Sequence, residues 1–257
     1  MHLGHRMLID LRSETEAVAY YTGDYETQSI KSILKLIQPE WTVLDVGANV
    51  GFWTVPLACA LHDGQLHAYE PVPGNFIRLA ENVRVNDVEA MVRLHSKGLS
   101  DRTATMQISL REDFQHGAET GNAAIVIDRS DEKFSCIEIE VTSLDEEVSG
   151  NPNIHRIDFI KLDIEGHEDR FLAGAVESIR RFRPVLLMEI NEEYYRRRGI
   201  DPTDVFEQWM QAFCYCCVLS TRTGWQFTEL SRRKPGLDDV FLCPSEKASD
   251  LVKLLRT

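Results

Sequence analysis

The chain has 257 residues, 43% of them hydrophobic, enough for one sizeable core or for a domain with a cap. Acidic residues outnumber basic ones, 41 to 28, and the resulting net charge of −13 disfavours a nucleic-acid partner because it repels a phosphate backbone. No apolar run approaches the roughly 18 residues of a membrane span. Residues 1–10 lack the apolar stretch of a signal peptide, so a cytoplasmic protein without a membrane partner is expected.

Residues 1–40 read as a helical lead-in or cap and residues 41–257 as the main domain. Tyr20 to Glu26 is aromatic and turn-like, and Ser29 to Ile37 has apolar residues at helical spacing until Pro39 stops it. Strands and helices then alternate. Strands are predicted at Thr42–Val46, Gln65–Tyr69 and Met91–His95, with helices at Phe52–Leu61 and Pro73–Val85 between them. Ala104–Leu110 and Phe134–Val141 read as further strands, and Arg111 to Asn122 as a loop able to move. Asp158–Leu162 and Val185–Ile190 are buried-looking strands flanking one helix from His167 to Arg181. Helices follow at Asn191–Arg198 and Thr203–Phe213. Strands at Tyr215–Ser220, Gly224–Thr228 and Val240–Cys243 and a helix at Ser249–Leu255 close the chain. Alternation of this kind gives a parallel sheet with helices on both faces, and the short late connections make its last part antiparallel.

The six cysteines form no C-x-x-C pair and read as reduced thiols. Short basic stretches at Arg180–Arg183, Arg196–Arg198 and Arg232–Lys234 sit near predicted helix ends or turns. They read as solvated cations there, or more sharply as a site for an anionic substrate group.

The sharpest local signal is Val43 to Gly51, where a buried strand enters a glycine turn and a helix follows. Gly47 and Gly51 allow a ligand to approach backbone closely, and the helix start offers free N–H groups. This is the layout of a nucleotide-type cofactor site at the C-terminal edge of a parallel sheet. A dinucleotide fingerprint needs glycine where the chain has Asn49 and Phe52. Asp45 before the turn suits a ligand with cationic or donor groups better than a pyrophosphate. Glu70 ends the second strand 19 residues after Gly51, where a carboxylate can accept from a ribose diol or merely end a surface turn. Asp163 ends another strand and is followed by Glu165, Gly166, His167 and Glu168. These acids and the histidine could ligate a divalent metal, but such neighbours are common by chance and a metal is not favoured. Glu189 lies inside a predicted core strand, so it is either paired or faces the cleft. Glu189 and His167 are the candidate general bases.

Asp45 to Gly51 resembles motif I of class I methyltransferases that use S-adenosyl-L-methionine (SAM). With Tyr69-Glu70-Pro71, Lys161 to Gly166, Met188-Glu189-Ile190 and Val141 to Asp145, the chain is similar to the FkbM family, and Gly23 to Glu26 matches that family's opening motif. Residues 191–257 carry no recognisable motif. The resemblance implies a Rossmann-like seven-stranded methyltransferase sheet with helices on both faces and the last strand antiparallel. It implies methyl transfer from SAM, leaving S-adenosyl-L-homocysteine, usually to a hydroxyl of a small molecule, natural-product intermediate or sugar. Asp45, Gly47, Asn49 and Gly51 would line the methionine end, Glu70 would hold the ribose with Asn75 close by, and Gly98, Leu99 and Ser100 would approach the adenine. Asp163 would face the reacting methyl, and Glu26 would join the cofactor site. His167 stands where a small residue is frequent, as a base or as a plain helix-start residue.

The rivals are nitrogen or carbon methylation on the same fold, a nicotinamide-dependent oxidoreductase, and a non-catalytic binding module. A homodimer is compatible with the sequence. Substrate contacts are expected from Tyr20 to Tyr25, residues 111–130 and the segment after Asn191, with Tyr21, Phe114 and Tyr194 as lining candidates.

Overall fold

The computed structural model describes residues 4–221, 224–232 and 237–256, so Arg233 and Lys234 of the third basic stretch lie outside the described residues. In chain order, α1 (Glu14–Thr22) and α2 (Thr27–Leu34) precede β1 (Thr42–Val46), α3 (Thr54–Ala60), β2 (Gln65–Tyr69), α4 (Pro73–Val85) and β3 (Val92–His95). Next come β4 (Gly98–Ser100), β5 (Ala104–Leu110), β6 (Ala123–Ile125), β7 (Ser135–Ser143), α5 (Leu144–Gly150) and β8 (Phe159–Leu162). The last part holds α6 (Glu168–Ala173), α7 (Val176–Phe182), β9 (Val185–Asn191), α8 (Glu192–Arg197) and α9 (Pro202–Phe213). It closes with β10 (Tyr215–Thr221), β11 (Gly224–Thr228), β12 (Leu237–Pro244) and α10 (Ala248–Arg256).

The main sheet has the strand order β11-β10-β12-β9-β8-β1-β2-β3. Strands β3, β2, β1, β8 and β9 are parallel. β12 runs antiparallel to both β9 and β10, as the short late connections require. β11 pairs antiparallel with β10 and adds an eighth strand at the edge of the expected seven. Successive side chains of a strand point to opposite faces, so Val43 and Leu44 enter two different cores. One core packs Val43, Phe159, Leu187 and Phe241 under α2, α3, α4 and α10. The other packs Leu44, Ile160, Leu186 and Met188 under α5, α6, α7 and α9. All four residues of β8 are buried, which is why it reads as a continuous apolar run broken only by Lys161. Each such apolar side chain contributes ~1.5–3 kcal/mol through burial.

A second sheet, β4-β7-β5-β6, stands over the C-terminal ends of β1 and β2 with its own small core of Val72, Ile108, Ile139 and Val141. Its three-residue strands β4 and β6 are too short to show periodicity. The Arg111–Asn122 segment beside it carries a 3-10 turn at Glu112–His116 and is docked on the N-terminal region. Asp113 accepts from Ser13 Oγ (2.8 Å) and the Glu14 N–H (2.9 Å), and Asp10 accepts from the Glu119 N–H (2.8 Å).

Several elements differ from the sequence reading: α5, β4 and β6 are not expected from it, and β5 and β7 belong to the second sheet. Tyr20–Thr22 belongs to α1, which starts at the Ser13 cap; Val18, Tyr20 and Tyr21 are exposed, so the helix shows no apolar stripe. The single helix expected at His167–Arg181 breaks into α6 and α7 at Gly174. A Cβ there would lie 2.0 Å from the Ser100 carbonyl oxygen, so β4 and the helix pair meet backbone to backbone.

Candidate active site

The ends of β1, β2, β8 and β9 and the inner face of the second sheet enclose a cavity of about 510 Å³. That volume is in the range of roughly 300–1,000 Å³ used for small-molecule and cofactor sites. Its floor is the turn after β1. Gly47 adopts φ +82°, and a Cβ on it would lie 1.9 Å from the Asp163 carbonyl oxygen. Glycine therefore lets β1 and β8 finish side by side. The Gly47 and Ala48 N–H groups both donate to the Tyr69 carbonyl at 3.0 Å, which ties the turn to β2. Glu70 follows Tyr69 and is 4% exposed. Its Oε2 accepts the Asn49 N–H (2.9 Å) and its Oε1 the Val72 N–H (2.8 Å). Burial pushes its carboxyl up to about 7 against these bonds. The Asn75 side chain also bonds this carboxylate, which still has acceptor capacity left, and Glu70 faces the cavity.

The wall at the ends of β8 and β9 is acidic. Asp163, Glu165 and Glu189 offer carboxylate oxygens within 4.8 Å of one another. Glu165 turns inward through a left-handed φ of 54°. Burial, reinforced by Asp163 and Glu168, pushes Glu165 up to about 8. Burial together with Asp163 and Glu165 pushes Glu189 up to about 10. Lys161 supplies a cation here, its Nζ donating to Asp163 Oδ2 at 2.9 Å. Glu168 is not a cavity group. It is fully buried, accepts the Ile164 and Gly166 N–H groups at 3.2 Å and the Tyr195 hydroxyl at 2.5 Å, and so fixes the turn that carries Glu165.

The N-terminal lead-in closes another side. Tyr25 stacks on Phe52 with ring centroids 4.2 Å apart, and Trp53 Nε1 donates to Glu26 Oε2 at 2.9 Å, holding Glu26 at the cavity. Val72, Gly98, Leu99, Ile139 and Val141 form an apolar slot. Asn75 clasps the second sheet to α4, donating from Nδ2 to the Gly121 carbonyl (2.9 Å) and accepting its N–H (3.0 Å). Arg111 reaches the cavity between the Phe134 and Tyr194 rings, 5.2 and 5.0 Å from their centroids.

Among the residues singled out from the sequence, Glu26, Gly47, Asn49, Glu70, Asn75, Gly98, Leu99, Asp163, His167 and Glu189 meet at this cavity. Asp45, Gly51 and Ser100 do not line it. Asp45 lies fully buried beneath the turn with Oδ2 accepting from Thr54 Oγ1 at 2.6 Å. Gly51 packs against Leu79, and Ser100 Oγ bonds His167 Nε2 at 2.8 Å. Burial pushes His167 down to about 4, so its imidazole is neutral and engaged with Ser100. Tyr194 lines the cavity, whereas Tyr21 is 77% exposed and Phe114 packs in the second sheet's core. In the basic stretches Arg183 pairs with Glu246 and Arg196 with Glu192 at the surface, while Arg197 pairs with Asp131 and Arg198 with Asp169 in largely buried bonds. Arg111 is the first residue of the 111–130 stretch expected to contact substrate, whereas Lys161 and Trp53 escaped the sequence reading as site residues. Of those two only Lys161 had a signal, a charge inside an apolar strand.

The family model described as the methyltransferase FkbM domain matches residues 45–217, well over half of the chain. The chain belongs to the FkbM methyltransferase family. "Methyltransferase 1" of Beauveria bassiana (strain ARSEF 2860) is 22% identical over 143 residues, covering 51% of this chain and 57% of that protein. Methyltransferase sdnD of Sordaria araneosa is 24% identical over 161 residues, covering 52% of this chain and 60% of that protein. The chain thus spans less than two thirds of the length of either relative. The crystal structure of methyltransferase FkbM from Methylobacillus flagellatus KT matches with a TM-score of 0.49 at 18% identity, over 80% of this chain and 44% of that one. The matched segment holds the glycine turn, Glu70 and the three acids of the cavity wall, while Tyr25 and Glu26 of the lead-in lie outside it.

Proposed function

We propose that the chain transfers the methyl group of SAM to a hydroxyl oxygen of a small hydroxylated acceptor, such as a natural-product intermediate or a sugar. Glu70 carries the reading. Its two oxygens are pinned by backbone N–H groups yet keep acceptor capacity toward the cavity, which suits the paired hydroxyls of a ribose. The charge of the cavity agrees. The acidic groups Glu26, Glu70, Asp163, Glu165, Glu189 and Glu193 outnumber Lys161 and Arg111 around it, and those that burial keeps protonated can ionise beside a cation, which fits a cofactor bearing ammonium and sulfonium groups and opposes a pyrophosphate. Gly47, Asn49 and Asp163 would hold the methionine end, and the slot of Val72, Leu99, Ile139 and Val141 the adenine.

When bound, SAM supplies an already activated methyl group. The protein's own work is alignment, exclusion of water and removal of the acceptor's proton. Glu189 is the base in this reading: burial, Asp163 and Glu165 make it hold a proton in the ligand-free protein, and a bound cation such as the sulfonium favours the ionised form that takes the acceptor's proton. His167 is the weaker choice, its ring being engaged by Ser100. A reducing, cytoplasmic setting is proposed from the six free thiols.

Calorimetry with SAM and with NAD, followed by transfer of an isotopically labelled methyl to a panel of hydroxylated acceptors, tests the proposal. SAM is expected to bind and NAD not to. Glu70→Gln, which turns one acceptor oxygen into a donor amide, is expected to weaken SAM binding about tenfold or more. No binding of SAM, or a label found on nitrogen or carbon, sinks the cofactor or the oxygen assignment respectively.

A further inference from the structure

Lys161 sits in the middle of β8, between β1 and β9, on a face of the sheet otherwise packed with Val43, Phe159 and Leu187. Its side chain is 7% exposed. An ammonium so placed is costly unless paired, and an uncharged side chain of similar length would fill the same space. The fold does not require the charge, so its partners explain it. Nζ donates to Asp163 Oδ2 at 2.9 Å. Asp45 is the ladder partner of Lys161 on β1; it is fully buried, and its Oδ1 has no hydrogen-bond partner among the described residues. Burial works against the Lys161 charge, but Asp163 and Asp45 outweigh it and hold the ammonium above its ordinary value. The cation therefore lies between the acid beneath the glycine turn and the acid on the cavity wall.

We propose that Lys161 is a positioning residue that acts through Asp163, tying down Oδ2 so that Oδ1 is presented in one orientation to a cationic ligand in the cavity. This rests on the reading of the cavity as a SAM site. Asp163 is 24% exposed and has Glu165 and Glu189 within 4.8 Å. Deprived of Lys161, it would stand in a largely buried acidic wall without a counter-ion, and such a carboxyl takes a proton or swings away.

SAM affinity measured by calorimetry from about pH 6 to about pH 9 tests this in the parent chain, Lys161→Met and Lys161→Arg. Lys161→Met is expected to weaken binding at least about tenfold near pH 6, with the deficit shrinking as pH rises. Lys161→Arg, which keeps the cation, is expected to stay within about threefold of the parent throughout. A Lys161→Met protein with unchanged affinity, or with the same deficit at every pH, overturns the proposal, since lost packing carries no proton. Should Lys161→Met fail to fold, the double variant Lys161→Met/Asp163→Asn decides. A folded double variant assigns Lys161 to the charge of Asp163, and an unfolded one overturns the proposal, because Lys161 then serves packing or the buried charge of Asp45. A parent chain that binds no SAM at any pH overturns the cofactor reading instead. The pairing is then judged from the thermal midpoints of the single and double variants, the double being the more stable if it holds.

Discussion

A methyl group added at Gly47 would press to 1.9 Å from the Asp163 carbonyl at a φ of +82°. Gly47→Ala is therefore expected to cost at least about 3 kcal/mol, read from the denaturant midpoint. Gly117 shares the φ of +82° but has nothing within 4 Å of its Cβ position, so Gly117→Ala is expected to cost only about 1 kcal/mol. Equal losses would mean that backbone conformation, and not the approach of β8, makes glycine necessary at Gly47. The turn was legible in the sequence because strand, glycine and helix follow one another along the chain. The job of Asp45 was not. Its position before the glycine suggests a ligand contact, and only the fold shows that it lies beneath the turn, with Oδ2 bonded to Thr54 and its charge beside Lys161.

At the level of elements, the second sheet is fastened to α8 by one buried carboxylate. Asp131, 1% exposed, accepts from Arg111 and Arg197 at 2.7 Å each and from the Ile127 N–H at 2.8 Å. Removing one member of a buried ion network leaves the others uncompensated. Asp131→Asn is expected to lose about 2–4 kcal/mol and to raise amide exchange in β6 above that in β1 and β8. Unchanged exchange in β6 would mean that the sheet is held by its apolar core alone. None of this was readable from the chain, because Arg111, Asp131 and Arg197 are far apart in sequence and none sits in a periodic pattern. The break at Gly174 escaped for a related reason, since its cause is the backbone of β4 and not the helix's own residues.

For the whole molecule, the acid-lined cavity sets an unusual dependence of stability on pH. Glu70 and Glu168 are pushed up to about 7, Glu165 to about 8 and Glu189 to about 10, each chiefly by burial. The unfolded chain releases these protons near the ordinary value of 4.5, so it binds fewer of them and stability falls as pH rises through 7 and 8. Buried His67 and His167, pushed down to about 4 from 6.5, act on the other side, and their contribution is lost as pH falls below 6.5. The ligand-free protein is expected to melt at a lower temperature near pH 8.5 than near pH 6.5, with the gap narrowing under saturating SAM, whose positive charge favours the ionised acids. A midpoint that climbs across that interval would show the acids to be solvated. The sequence by itself determined the parallel sheet, the glycine turn, Glu70 and the acids at the ends of β8 and β9, because each rests on neighbours along the chain or on the repeat of a strand. Only the tertiary structure decided that a second sheet roofs the site, that Ser100 engages His167, and that Lys161 stands between Asp45 and Asp163. Those contacts join residues remote in sequence, and their energies come from burial and charge pairing that exist only once the sheet has formed.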